Sequence, residues 1–270
     1  MPDGSDAVSA ETSSDVRESA TEVADVEISS LGGGAGSQVV VLHHSFGNPR
    51  WLPFHERLSA GCAVEAPDLP GFGKSTQPDW ARDVRDLAML IGWWLRGMDS
   101  GPVAVVGCGF GGWVAAELAV MWPEGLSHLV LVGAAGILPE RGRILDQVLI
   151  SHSEYVRASF HRREAYEAVY STELPDELLL QWDRNREMTA RVAWKPHMYN
   201  RRLSHLLPLV RTPTLVVWGD DDRVVPRECG ERFAALLPAA RLEIVADCGH
   251  AVDMEQPEQL SRLVREHVSN

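Results

Sequence analysis

The sequence predicts an α/β chain: a doubly wound, mostly parallel sheet with a helical segment inserted late in it. Three observations carry this expectation. Short β-branched runs at 39–42, 103–106, 128–133 and 213–218 lack polar alternation, as strands buried on both faces do. Amphipathic stretches separate them, so strands and helices alternate. Residues 137–205 interrupt this rhythm with helix-forming residues, interspersed Trp, Tyr, Arg and His, and few strand signals.

At 270 residues the chain can bury a large core. The expected division is an acidic, disordered tail over 1–21, an α/β core over 22–136 and 206–270, and a helical cap insertion over 137–205. The formal net charge of −13 argues against nucleic acid or an anionic membrane as partner. Eight acids against Arg17 within residues 1–36 account for −7 of it. The start of the chain has no basic stretch followed by an apolar one, and no apolar run approaches the length that spans a bilayer. The four cysteines show no metal-ligand spacing, and reduced, buried thiols are expected. These readings place the protein in the cytoplasm with a small-molecule partner, and leave its oligomeric state open.

In order along the chain, residues 22–30 suit an edge strand, and Gly-rich 31–37 suits a turn. The run 39–42 ends in the loop His43-His44-Ser45-Phe46-Gly47-Asn48-Pro49, with a helix expected from 51 to 58. A strand at 62–66 leads into Asp68-Leu-Pro-Gly-Phe-Gly-Lys-Ser75, and 79–96 is helical. After the strand 213–218 come Gly219-Asp220-Asp221-Asp222-Arg223-Val224-Val225-Pro226, a helix, a short strand at 241–245, the loop ending Gly249-His250, and a last helix over 258–268.

The centre of this layout is Gly107-Cys108-Gly109-Phe110-Gly111, between the strand 103–106 and a helix expected over 113–122. A strand, a sharp turn of small residues and a helix make the setting of a nucleophile elbow, G-x-S-x-G. Here the nucleophile position holds Gly109. Glycine enters positive φ almost freely, so the substitution suits the turn while removing the hydroxyl of acyl transfer.

These motifs resemble the α/β-hydrolase fold superfamily over residues 38–268. Five features carry the resemblance: Leu42-His43 with its loop, the Asp68–Ser75 segment, the elbow, the Asp222-Arg-Val-Val-Pro226 context and Gly249-His250. They follow the order nucleophile, acid, histidine. The resemblance implies Asp222 as the acid and His250 as the general base, with Asp220 and Asp221 in a solvated turn. It also implies an oxyanion hole from the backbone N–H of Phe110 and one from Ser45 or Phe46. Where the family usually has glycine after the first histidine, this chain has His44, which either donates a hydrogen bond there or plugs the space. The insertion is similar to the caps of carbon–carbon bond hydrolases, epoxide hydrolases and haloalkane dehalogenases.

Three explanations of Gly109 stay open. A His250–Asp222 dyad can activate water or a substrate proton directly. The scaffold can be a catalytically inactive, ligand-binding or regulatory protein. Or the nucleophile sits elsewhere, with Cys108 and Ser45 as candidates, although packing suits Cys108 better and an ordinary loop serine suits Ser45. No metal is expected, because adjacent His43 and His44 at a strand end point to opposite sides, and His43 suits a bracing role in the core. No cofactor is implied. Trp182, Arg186, Trp194, Lys195, His197, Met198 and Tyr199 are candidates for a partly apolar pocket, with Arg186 or Lys195 facing a carboxylate or enolate. The resulting expectation is an enzyme acting on a small, partly apolar carbonyl compound by ester or C–C hydrolysis or by proton transfer, with the inactive ligand binder as alternative.

Overall fold

The computed structural model describes residues 16–171 and 173–269. Among them an eight-stranded sheet runs in the order β1-β2-β4-β3-β5-β6-β7-β8. Its strands are β1 Arg17–Val23, β2 Val26–Gly33, β3 Ser37–Leu42, β4 Cys62–Pro67, β5 Val103–Cys108, β6 Leu126–Val132, β7 Thr214–Gly219 and β8 Ala240–Val245. Strands β3 to β8 pair in parallel, and β1 and β2 add an antiparallel edge. The central strands β5 and β7 are buried at every position, which is why their sequences run apolar without alternation.

Helices α1 (Pro53–Ser59), α9 (Val252–Glu255) and α10 (Pro257–Val268) cover one face. There Phe54, Leu58, Val252, Leu260 and Val264 pack on Val39, Val41, Val106 and Val130. Helices α2 (Val84–Gly97), α3 (Phe110–Met121) and α8 (Arg227–Leu236) cover the other, where Leu87, Ile91, Val114 and Phe233 join Val40, Val105, Leu131 and Val216. Each such fully buried side chain contributes on the order of 1.5–3 kcal/mol relative to exposure. Between β6 and β7 lie α4 (His152–Ala158), α5 (Arg163–Val169), α6 (Asp176–Ala193) and α7 (Leu203–Leu206). No helix among the described residues is long and apolar enough to cross a membrane.

Residues 1–15 of the expected tail lie outside the described residues. The rest of it is ordered, a correction to the sequence reading: Arg17–Val23 is β1, paired along its length with β2. Ala24 and Asp25, both at positive φ (49° and 62°), make the hairpin turn. Arg17 bonds Glu65 at 2.6 Å, and Lys74 bonds Glu18. Six of the seven β1 residues are exposed, so no buried face imprints an alternating pattern on this strand.

Register places the site. Leu42 is level with Gly107, Cys108 with Val132, and Gly219 with Val245. The loops after β3, β5, β7 and β8 therefore leave one carboxyl edge together, where open α/β sheets bind ligands.

Candidate active site

The β5–α3 turn is tight because its glycines leave room. A Cβ on Gly107 would lie 2.5 Å from the Gly111 carbonyl oxygen and 2.6 Å from Gly112 Cα. Gly109, at the helix start, has φ 54° and ψ −111°, a region that side-chain-bearing residues occupy at a cost of roughly 1–3 kcal/mol. Its N–H donates to Val132 O (2.8 Å), and its carbonyl accepts from Ala135 N (3.1 Å). Gly111 N donates to His43 O (2.9 Å), tying the β3 loop to the turn. Phe110 opens α3, so its N–H has no partner within the helix.

His250 and Asp222 come together. His250 Nδ1–H donates to Asp222 Oδ2 at 2.8 Å, and both side chains are buried. Asp222 Oδ1 accepts from Val224 N and Val225 N, both at 2.8 Å. The carboxylate thus fixes the imidazole's tautomer and leaves Nε2 as the proton acceptor. The neighbouring acids serve the turn: Asp221 pairs with His161 (2.8 Å) and Arg223, and Asp220 accepts from Cys248 N (3.2 Å).

His44 makes a second such pair. Its Nε2 lies 2.8 Å from Asp253 Oδ1, and both side chains are at least 97% buried. Burial pushes the Asp253 carboxyl up, but the charge and hydrogen bond of His44, with the charge of His55, outweigh it and hold the group below the usual carboxylate range. His44 Nδ1 is sealed from solvent with no partner among the described residues. A Cβ on Gly109 would lie 2.5 Å from that nitrogen and 2.8 Å from His250 Nε2. The two rings stand 5.0 Å apart at 59°, and Phe46 stacks on His44 at 4.8 Å. The His44 ring therefore fills the space a side chain at 109 would enter.

His43 turns the other way. Its Nε2 accepts from Leu69 N (2.9 Å), and Nδ1–H donates to His44 O (2.7 Å). Burial lowers its pKa, so it braces the loop as a neutral ring. Ser45 Oγ–H donates to Tyr155 Oη (3.2 Å), a phenol that burial pushes up to about 12. Cys108 is buried and packs on the α10 face of the sheet, with burial raising its pKa well above that of an ordinary thiol. His44, Cys108 and Asp253 offer ligand atoms within 4.8 Å of one another. A protonated thiol and an imidazole already bonded to the carboxylate are poor metal donors.

The candidates in the insertion have other contacts. Trp182 and Met198 are core residues, Trp182 edge-on to Tyr170 at 5.3 Å. Arg186 donates to Gln147 O (2.8 Å) and Ile150 O (2.9 Å) and meets His152, which corrects its placement facing a ligand. Trp194 and Lys195 line a cavity of about 530 Å³ that His44, Gly109 and His250 do not line. His197 and Tyr199 line another of about 540 Å³, with Leu138, Ile144, Leu145 and Leu149, beside Arg223 of the acid loop.

Three residues escaped sequence reasoning. Asn185, fully buried on α6, donates to Phe46 O (2.9 Å) and accepts from Gly73 N (3.3 Å). Its signal was a polar residue in register with apolar Trp182, Met188 and Val192. Glu255 accepts from the backbone N–H of His161, Arg162 and Gly249 (2.9, 3.0 and 2.6 Å), clamping the insertion to the His250 loop. Asp253 pairs across 209 residues, which no local pattern reveals.

A model of the alpha/beta hydrolase family matches residues 39–263, a span containing every site residue above. The chain belongs to that family. It is 29% identical over 259 residues to a 2-hydroxy-6-oxononadienedioate/2-hydroxy-6-oxononatrienedioate hydrolase of Burkholderia vietnamiensis (strain G4 / LMG 22486), covering 86% of this chain and 88% of that one. Among solved structures it is similar to a membrane phospholipase A, a bacterial virulence factor (TM-score 0.81, 25% identity, 94% of this chain and 86% of that one). It also shares its fold with the meta-cleavage product hydrolase of Pseudomonas fluorescens IP01 (TM-score 0.78, 23% identity, 93% and 97%).

Proposed function

We propose that this member of the family hydrolyses a small, partly apolar carbonyl compound, of the 2-hydroxy-6-oxo-dienoate class that its relatives' names carry, without a covalent enzyme intermediate. The observation that carries the reading is an assembled His250–Asp222 dyad beside a turn whose central residue is glycine. Nothing at 109 can attack a carbonyl, so the dyad acts on water.

Chemically, a 6-oxo compound of this class has an electrophilic C6 and, once its 2-hydroxy-diene has ketonised, an electron sink at C2. His250 Nε2 takes a proton as water adds to C6, and Asp222 stabilises the imidazolium. The C6 oxyanion meets the N–H of Phe110 and one from the Ser45–Phe46 loop. Cleavage of C5–C6 releases the C6 carboxylic acid, the electron pair is delocalised onto the C2 carbonyl oxygen, and the imidazolium's proton is passed to that enolate oxygen, leaving a 2-hydroxy-2,4-dienoate. His44 Nδ1 and His250 Nε2 both face the Gly109 turn, and in this reading the attacking water donates to both. The His44–Asp253 pair then orients that water in place of the missing hydroxyl.

The opposite reading, a ligand-binding protein on the same scaffold, draws on the same His44 ring, which seals Gly109. The two part on turnover of 2-hydroxy-6-oxo-6-phenylhexa-2,4-dienoate and of activated esters. Turnover that His250→Ala abolishes supports the enzyme; binding without turnover supports the ligand binder.

A further inference from the structure

A cavity of about 530 Å³ lies between the start of α2, the middle of α3 and the segment 190–202 that closes the insertion. Six cations line it: Arg82, Arg85, Arg191, Lys195, Arg201 and Arg202. The acids on its wall are Asp83 and Glu117, which leaves an excess of four positive charges on a chain whose net charge is −13. Both acids are engaged. Asp83 caps α2, accepting from Arg85 N and Asp86 N. Glu117 is buried, accepts from Trp113 Nε1 (3.0 Å) and Asn200 Nδ2 (2.6 Å), and stands 3.5 Å from Arg85 Nε.

The cations divide by restraint. Arg82 and Arg191 both donate to Asp79 O, which holds their guanidinium groups near the rim. The side chains of Lys195, Arg201 and Arg202 make no hydrogen bond or ion pair with the described residues. An uncompensated cluster of like charges is unfavourable unless solvent or a ligand answers it, and guanidinium groups match phosphate and carboxylate oxygens two at a time. Beside them Trp194 is 47% exposed, with the His197 ring edge-on to it at 6.1 Å. An indole at a cationic rim offers an aryl anion a stacking surface beside the charges that would hold its oxygens.

We infer that this cavity binds a small anion, a phosphate or carboxylate carried on an aromatic ring, at a site separate from the His250 centre. The charged oxygens meet Arg201, Arg202 and Lys195, and the ring lies on Trp194. Trp113, on the cavity wall, is four residues along α3 from Gly109, so occupancy touches the helix that begins at the turn.

The test is calorimetric titration of the whole protein at low salt with phenyl phosphate, inorganic phosphate, benzoate and benzyl alcohol, alongside tryptophan fluorescence. Phenyl phosphate and benzoate are expected to bind at one site each and to quench fluorescence, inorganic phosphate more weakly, and benzyl alcohol not at all. Added salt should weaken binding as the Debye length shrinks from roughly 10 Å at 0.1 M to about 3 Å at 1 M. The Arg201→Glu/Arg202→Glu variant, altered at two exposed positions and checked for an unchanged Tm, should bind about tenfold or more weakly, as loss of two charge-assisted contacts implies. Trp194→Ala should erase the preference for phenyl phosphate over inorganic phosphate. The inference is overturned by no binding of either aryl anion, by unchanged affinity in the double variant, or by loss of binding in His250→Ala.

Discussion

His44 stands where a nucleophile on residue 109 would reach: its Nδ1 is 2.5 Å from the Cβ position of Gly109. Real Cβ contacts are never that close, so glycine at 109 and the imidazole at 44 are a matched pair. The hydrogen bond to Asp253 and the stack on Phe46 hold the ring there, and it cannot turn aside without stranding a buried carboxylate.

Gly109→Ser alone therefore does not build a triad. It is expected to lower Tm by several degrees, since the backbone conformation alone costs roughly 1–3 kcal/mol and each kcal/mol is worth about 2–4 °C at this size. It should also stay unlabelled by a fluorophosphonate. Gly109→Ser/His44→Gly/Asp253→Val, which removes the ring and the carboxylate it neutralises, should be labelled on the hydroxyl introduced at position 109. Mass spectrometry of the modified peptide checks both; labelling of the single variant sinks the pairing.

Asn185 links the insertion to the loop that carries Ser45 and Phe46. Asn185→Ala strands the Phe46 carbonyl and the Gly73 N–H, which predicts a stability loss of about 1–3 kcal/mol. If the Phe46 loop supplies the oxyanion donor of the proposed mechanism, kcat should fall more than KM rises. Urea denaturation and steady-state kinetics measure the two effects; no change in either contradicts the link.

His55 gives the protein an acid-sensitive step. Its Nδ1 accepts from Leu52 N (3.1 Å), and burial depresses its pKa from 6.5 to about 4 against the opposing charge of Asp253. A depressed histidine favours the neutral ring in the folded state, so its contribution is complete above pH 6.5 and is lost as pH falls towards 4. The full amount is about 3 kcal/mol by linkage. His55→Asn keeps an acceptor for Leu52 N and should flatten the stability profile between pH 6.5 and 4, read by denaturation at stepped pH. An unchanged slope there contradicts the assignment.

Much of the fold was legible because burial on both faces imprints strands: the runs at 39–42, 103–106 and 213–218 could be little else. Asp222 and His250 were legible through the resemblance that their motifs carry, and the structure brings them within 2.8 Å of one another. β1 was not, since a strand exposed on both faces has no reason to alternate, and two residues at positive φ decide its hairpin. His44 was seen as an anomaly with two readings. Its meaning depends on Asp253, a pairing made by the return of α9 beneath the β3 loop. Arg186 misled because an arginine's long side chain can serve backbone carbonyls as readily as a ligand.

Asp222 carries three hydrogen bonds, only one of them to the imidazole. Asp222→Asn should preserve the fold, within about 1–3 kcal/mol for a buried polar replacement, while inverting the His250 tautomer. A fall in kcat of up to roughly 10⁴-fold is expected, as in other acid-to-amide changes behind a catalytic histidine. Retained activity with a retained Tm contradicts a dyad.

The most direct measurement is the rate of hydrolysis of 2-hydroxy-6-oxo-6-phenylhexa-2,4-dienoate by the unmodified protein, with and without prior fluorophosphonate treatment, beside His250→Ala. Direct water activation predicts turnover that fluorophosphonate leaves unchanged and that His250→Ala lowers by roughly 10²–10⁴-fold. Turnover abolished by fluorophosphonate, or undiminished in His250→Ala, contradicts it.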